Sequence, residues 1–387
     1  MRALFLVFTV CAFASGFALR VIDPLIVPIA QRFAVLPALA AMLSAAYSLP
    51  YAIAQPFLGP IGDRFGKIRC MQVCVAGLSV ALVFGSVAPT FELLAATRVA
   101  AGVFAGGLIP LVLAWLGDAY DMEERQVMIG RMLFAIITGQ MLGSTVSGFV
   151  NAEWGWRAAI AAAAGIAVLA TVLSWISVPR AETAAEEPPQ GHATFRSLYG
   201  RIFQNPKAAW LYSAVVIEGT LVFGVFPHVG PLLLERTGTT LAAAPRQAGL
   251  VLGAFAIGGL LYAVLVRAVI GLLGLRLMCI VGTVVVACCY ATLVVSPLWW
   301  LDAVALGVAG LGFYMLHNCL QTEATELAPA ARGSAVALFA CGFFAGQGLG
   351  PILFGALVQA VGFTPALFAC CIGLLALGPL VVRKIIG

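Results

Sequence analysis

The chain has 387 residues, of which 62% are hydrophobic and 10% charged, and its formal net charge is +5. An ordinary soluble domain is about 45–50% apolar and about 25% charged, so this composition excludes a water-soluble globular protein. Apolar runs of about 20 residues, the length that crosses a bilayer as a helix, instead recur from end to end.

These runs predict an all-α integral membrane protein with twelve helical spans, at 4–30, 38–59, 70–88, 91–116, 127–150, 157–178, 208–234, 247–270, 276–296, 298–321, 333–358 and 362–382. Barrel strands are excluded because they alternate apolar and polar residues over about ten positions. The opening MRALFLVFTVCAFAS has the basic residue, apolar stretch and small-residue site of a signal peptide, yet the apolar sequence runs on to Ala30, so the segment is expected to stay as span 1. Fifteen basic residues fall in segments on the N-terminal side, against Arg32, Arg157, Arg236 and Arg246 on the other. By the positive-inside rule both termini are expected in the cytoplasm and the chain in the cytoplasmic (inner) membrane. The positive charge is thereby assigned to topology, and no nucleic-acid partner is expected. The ten cysteines lie in or at the start of spans without metal-type spacing and read as small packing residues.

Between spans 6 and 7 lies the one long polar stretch, residues 179–207, with Glu182, Glu186, Glu187, Pro188 and Pro189 in its first part. It reads as a solvated cytoplasmic linker (181–207) between an N-terminal six-helix bundle (1–180) and a C-terminal one (208–387). The halves repeat. A shift of 207 residues matches Pro24-Leu25 with Pro231-Leu232, Arg125 with Arg332, GQMLG at 139–143 with GQGLG at 346–350, and Gly155-Trp156 with Gly362-Phe363. Internal repeats with a site at their interface are a building plan of secondary transporters. The glycines of both GQxLG stretches are small-xxx-small patterns, read as helix packing.

Ionisable residues inside spans are costly and mark function by default. A rise of about 1.5 Å per residue places Asp23 of span 1 and Arg98 of span 4 both about 9 Å to the outside of the midplane. An Asp23–Arg98 pair is therefore expected, with Arg20, one turn from Asp23, as the competing partner. In the C-terminal half, Glu218 lies about 5 Å to the inside of the centre of span 7. It has no basic residue in its own span at that depth, and desolvation makes it a candidate proton carrier. His317, Asn318 and Gln321 cluster toward the inner end of span 10, and Tyr47 and Tyr51 share a face of span 2. With Gln140 they form the candidate substrate cavity, for which simple packing is the competing reading. Asp23 and Arg20 are expected to line the same cavity, while His228 and His192 are expected to contribute little.

The loop GPIGDRFGKIR at 59–69 adds Gly59, Asp63, Arg64, Gly66 and Lys67. Together these resemble the signature between helices two and three of the major facilitator superfamily, and the span count, linker and repeat resemble that superfamily along the whole chain. RVAAGVFAGG at 98–107 resembles its fourth-helix pattern, and GQMLGSTVSG at 139–148 resembles the fifth-helix motif of the drug:proton antiporter branch, with Ser144 where that motif has proline. The resemblance implies a conformational latch at 59–67: Gly59 would let span 2 approach span 11, and Asp63 would face the positive end of a helix in the other half.

No Walker A, HExxH or GxSxG pattern is present, which leaves ATP-driven transport and hydrolysis without a sequence basis. The expectation is a non-enzymatic, monomeric secondary transporter in the lipid bilayer, with no cofactor and protons as the coupling ion. Its activity would be proton-coupled efflux of small amphipathic organic compounds by alternating access, with Asp23, Glu218, Arg98 and Arg20 coupling the proton. The alternatives are proton-coupled uptake of a small organic anion held by Arg20 and Arg98, or a transporter-like receptor without flux.

Overall fold

The structure is a computed structural model that describes residues 2–120, 122–177, 202–328 and 332–387. The polar linker from 178 to 201, with His192, and the side chains of Asp63 and Arg332 lie outside the described residues. Among the described residues, ten helices are long and apolar enough to cross a membrane. Two of them, Met122–Ser177 and Ala244–Val295, are bent at Gly155 (φ 81°) and Gly274 (φ 65°). At 56 and 52 residues, each is twice the length a bilayer needs, so they are spans 5 with 6 and 8 with 9, and the total is twelve. Left-handed φ is open to glycine at little cost, which is why two spans join there without a loop.

Spans 1 and 7 are not continuous helices. Span 1 runs as Arg2–Arg20, a 3-10 turn Asp23–Leu25 and a helix Ile26–Phe33, and span 7 as Lys207–Phe223, Phe226–His228 and Val229–Arg236. Each 3-10 turn carries a proline in its first turn, Pro24 and Pro227, and proline can donate no backbone hydrogen bond there. The two turns are 203 positions apart, which corrects the register read from the sequence. In the fold, Pro24 is equivalent to Pro227, and its match with Pro231 at a shift of 207 is a coincidence of apolar sequence. Spans 5 and 11 do keep the 207 shift. The two registers meet where a Cβ on Gly143 would stand 2.5 Å from the Phe17 carbonyl oxygen and one on Gly350 would stand 2.6 Å from the Thr220 carbonyl oxygen. Span 5 lies on span 1 as span 11 lies on span 7.

One buried apolar cluster draws on residues 4–170, and two others draw on residues 202–385. Contacts between these two sets run along two seams. Span 2 packs on span 11, with Leu49 against Gly348, and span 5 packs on span 8, where Ser144 and Gly249 are in backbone contact. In the half of the molecule toward Gly155 and Gly362, called the far end below, the two 3-10 turns also touch.

Gly102 of span 4 sits directly against the backbone of Tyr47 in span 2, so any side chain there meets a carbonyl that cannot rotate away. Gly102→Val should destabilise the protein by about 1–3 kcal/mol as overpacking does. Gly130→Ala, where nothing lies within 4 Å of a Cβ, should leave thermal unfolding of the detergent-solubilised protein unchanged or raise it. Equal melting of the two variants would contradict the close approach.

Candidate functional site

The break in span 1 sets the site. Residues 21 to 25 leave the helix, so Arg20 ends one helix and Asp23 opens the turn, and both turn inward, 6% and 1% exposed. An ionised carboxylate at that depth needs partners, and Asp23 has two. Ser44 of span 2 donates its hydroxyl to Oδ1 at 2.6 Å, and Arg20 donates Nη1 to Oδ2 at 3.3 Å. The other terminal nitrogen of Arg20 reaches into the C-terminal half, donating to Gln347 Oε1 at 2.5 Å. The guanidinium also lies 4.4 Å from the centre of the Phe223 ring and 4.9 Å from that of Phe226. At the shift of 203, Phe223 and Phe226 are the counterparts of Arg20 and Asp23. The polar pair of one half thus rests on the aromatic pair that replaces it in the other.

This arrangement corrects the expected Asp23–Arg98 pair. Arg98 is 2% exposed, donates Nη1 to the Ala18 carbonyl at 3.0 Å and Nε to the Leu43 carbonyl at 3.4 Å, and lies over the Tyr47 ring at 4.4 Å. Its Nη2 is buried without a hydrogen-bond partner among the described residues. The competing partner, Arg20, holds Asp23 across the three positions that separate them at the helix break, and a tyrosine face takes the charge of Arg98.

A central cavity of about 60 Å³ lies between the halves, lined by Ile137, Gln140, Phe223, Phe255, Ala256, Phe313, Tyr314, His317, Phe343 and Gln347. It is far smaller than a typical small-molecule pocket of about 300–1,000 Å³. Of the residues expected to line the cavity, Gln140 and His317 do. Asp23 and Arg20 do not; they stand behind Gln347 and Phe223. Tyr47 and Tyr51 are fully buried and stack on each other at 6.0 Å, with Tyr51 reaching Phe344 of the other half at 4.2 Å. Asn318 turns to Tyr262, donating to its hydroxyl at 2.8 Å, and Gln321 is exposed outside the cavity. Packing is therefore the right reading for the tyrosines.

Glu218 has a partner that its own span does not contain. His317 of span 10 places Nδ1 3.0 Å from Glu218 Oε2. Glu218 is completely buried, and its Oε1 has no hydrogen-bond partner among the described residues. His228, expected to contribute little, hydrogen-bonds the Pro351 carbonyl at 3.1 Å.

In the 59–67 loop, Gly66 turns the chain between spans 2 and 3 with φ 91°, Lys67 pairs with Asp118 at the end of span 4, and Arg64 is exposed over Phe65. Gly59 and Asp63 lie outside the residues whose side-chain surroundings are described.

Sequence reasoning missed Gln347, Phe223, Phe226 and Ser44. One signal was available. Gln347 is the counterpart of Gln140 at the 207 shift, and both line the cavity.

With this geometry the chain was compared with known proteins. It matches the family profile described as Major Facilitator Superfamily over residues 8–330 and 229–385. It is 25% identical over 381 residues to the uncharacterized MFS-type transporter YceJ of Bacillus subtilis (strain 168), covering 95% of this chain and 94% of that one. It is 29% identical over 140 residues to the probable multidrug resistance protein EmrY of Escherichia coli (strain K12), covering 36% of this chain and only 27% of EmrY. A 24% identical stretch of 143 residues matches the fatty acid resistance protein FarB of Neisseria gonorrhoeae, 37% of this chain and 28% of FarB. Among solved structures, the nucleoside transporter NupG superimposes with a TM-score of 0.77 at 13% identity, covering 98% of this chain and 98% of that chain. The D-xylose-proton symporter does so with 0.78 at 18% identity, covering 99% and 97%. Twelve spans in a repeated order, two seams between the halves, a central cavity and a family match along nearly its whole length make this chain a member of the Major Facilitator Superfamily, a transporter and not an enzyme.

Proposed function

We propose that the protein is a proton-coupled exporter of small amphipathic organic compounds, working by alternating access in the cytoplasmic membrane. The observation that carries this reading is the bridge from Asp23 through Arg20 to Gln347, which joins a titratable group to the contact between the halves. When Asp23 is ionised, it anchors the Arg20 guanidinium against the C-terminal half. A proton on Asp23 removes the charge that anchors it, so the stability of the far-end closure depends on proton occupancy. Truncating one partner of a buried pair costs about 3–5 kcal/mol, which is enough to reverse a two-state balance of a few kcal/mol. Substrate and proton then couple through their different preferences for the two states.

The cavity supports the substrate class. Five of its ten lining residues are aromatic and only Gln140, Gln347 and His317 bring side-chain nitrogen or amide groups, a lining suited to apolar, amphipathic molecules more than to sugars. The relatives described as multidrug or fatty acid resistance proteins point the same way, although they match over about a quarter of their length. Uptake of an organic anion has less support. Both intramembrane arginines are engaged inside the protein, and neither lines the cavity.

Proteoliposomes loaded with a pH dye and given a panel of lipophilic cations and small organic anions should show cation-triggered proton flux in the wild type. Asp23→Asn should reduce that flux to the level of empty liposomes while the variant still binds the cation. Flux triggered by anions alone would replace efflux with uptake, and binding without flux across the panel would favour a receptor. Arg98→Ala separates the same readings: efflux requires a shifted pH profile with binding retained, whereas uptake requires loss of binding. Gln347→Ala cuts the bridge without touching a charge, and it should raise labelling of a cysteine placed at Ala38, at the far end, by about tenfold for each 1.4 kcal/mol lost from the closure.

A further inference from the structure

The bridge around Asp23 leaves unused another buried ion-pair candidate between helices, Glu218 with His317, which lies in the C-terminal half on the wall of the cavity. His317 lines the cavity, with its ring against Phe313, Phe339 and Phe343 at 5.1, 5.2 and 4.5 Å between centroids. Its Nδ1 is taken by Glu218, and its 13% exposed side chain makes no other hydrogen bond among the described residues. Nε2 is left for whatever occupies the cavity. Few other titratable groups face the pair. The Cys279 thiol of span 9 is within electrostatic reach of Glu218, and Tyr314 stands next to the imidazole in the cavity wall. Among the described residues, spans 7, 11 and 12 bring no further charge to the pair.

Proton counting fixes what Nε2 can do. When the pair holds one proton, an ionised Glu218 accepts it from Nδ1, and Nε2 presents a lone pair. When the pair holds two, Nε2 carries an N–H whether the other proton is on Nδ1 or on the carboxyl. One added proton therefore turns the wall from an acceptor into a donor and changes the pair from net negative to neutral.

We propose that the Glu218–His317 pair is an amine-recognition site in which a substrate ammonium N–H and a proton compete for His317 Nε2. The inference rests on the efflux reading and deepens it, naming the substrate as a protonated primary, secondary or tertiary amine attached to an aromatic or aliphatic body. Phe223, Phe255, Phe313 and Phe343 hold the body and, by cation–π attraction, the charge. The ammonium donates to Nε2 when the pair holds one proton. Binding of the second proton from the other side of the membrane expels the amine, because two N–H groups cannot share that contact. Direct competition at His317 is separate from the conformational coupling at Asp23.

The test compares benzyldimethylammonium with benzyltrimethylammonium, which has the same ring and charge but no N–H. Binding to the purified full-length protein is measured by calorimetry in two buffers of different ionisation enthalpy, from about pH 6 to about pH 8 across the usual imidazole range. The wild type should release protons on binding the tertiary amine, with affinity rising up to about tenfold per pH unit, and should bind the quaternary ion at least about tenfold more weakly, for the one charge-assisted hydrogen bond lost, with little proton release. His317→Gln should bind the tertiary amine with about one proton fewer released and a flat pH profile. Glu218→Gln, a smaller change, should keep binding but move the pH midpoint. Asp23→Asn should retain the His317-dependent release. Equal proton release by wild type and His317→Gln, or equal affinity and release for the two ions, would overturn the amine site and leave efflux standing. Failure of the wild type to bind either ion at any pH would also overturn the amine site, while the flux panel decides efflux.

Discussion

A guanidinium cannot be buried at a helix break without something to hold it, and the partners of Arg20 come from both halves of the protein. Asp23 supplies the opposite charge, Gln347 an amide oxygen, and Phe223 and Phe226 the faces of two rings. Each cation–π contact is worth about 2 kcal/mol when desolvated, and losing any one partner exposes the cost of the rest. Satisfying a single side chain therefore fastens the far end of the molecule. Because one partner is a carboxyl group, the proposed function makes this fastening the step that a proton controls.

The repeat explains how such a site arises from two similar halves. Backbone geometry is kept: 3-10 turns at Asp23–Leu25 and Phe226–His228, glycine bends at Gly155 and Gly362, and helix approaches at Gly143 and Gly350. Side-chain chemistry is divided between the halves. The N-terminal half brings ionic residues to the break and the C-terminal half brings aromatic ones, while the glutamine of each GQxLG stretch faces the same cavity. The second acidic residue, Glu218, is placed at a different level and finds a histidine there. The two acidic sites differ in kind: one holds the halves together and the other stands against the space between them.

The cavity is too small for an amphipathic molecule as it stands, at about 60 Å³. Its walls belong to helices that meet at the two seams, spans 2 with 11 and 5 with 8, where glycine brings backbones into contact. Close small-residue packing brings these helix backbones together, and the proposed alternating access would part the halves along these seams while each keeps its own apolar core.

Much of this protein was determined by its sequence alone. Hydrophobic runs of bilayer length fix the helices, since lipid offers the backbone no other hydrogen-bond partner, and the 59–69 loop and the repeat carry the family resemblance. Arg20, Asp23, Arg98 and Glu218 stand out because charge is expensive in an apolar run, and that cost is visible one residue at a time. Their partners were decided only by the tertiary structure. Depth along a helix does not say which way a side chain points, so Arg98 shared a level with Asp23 yet turned to Tyr47 and two carbonyls. Glu218 and His317 are 99 residues apart and meet because spans 7 and 10 are neighbours in the bundle. The register of the repeat was hidden for a related reason: apolar sequence matches itself at many shifts, whereas the turn at Pro227 could only be placed by a backbone that bends there.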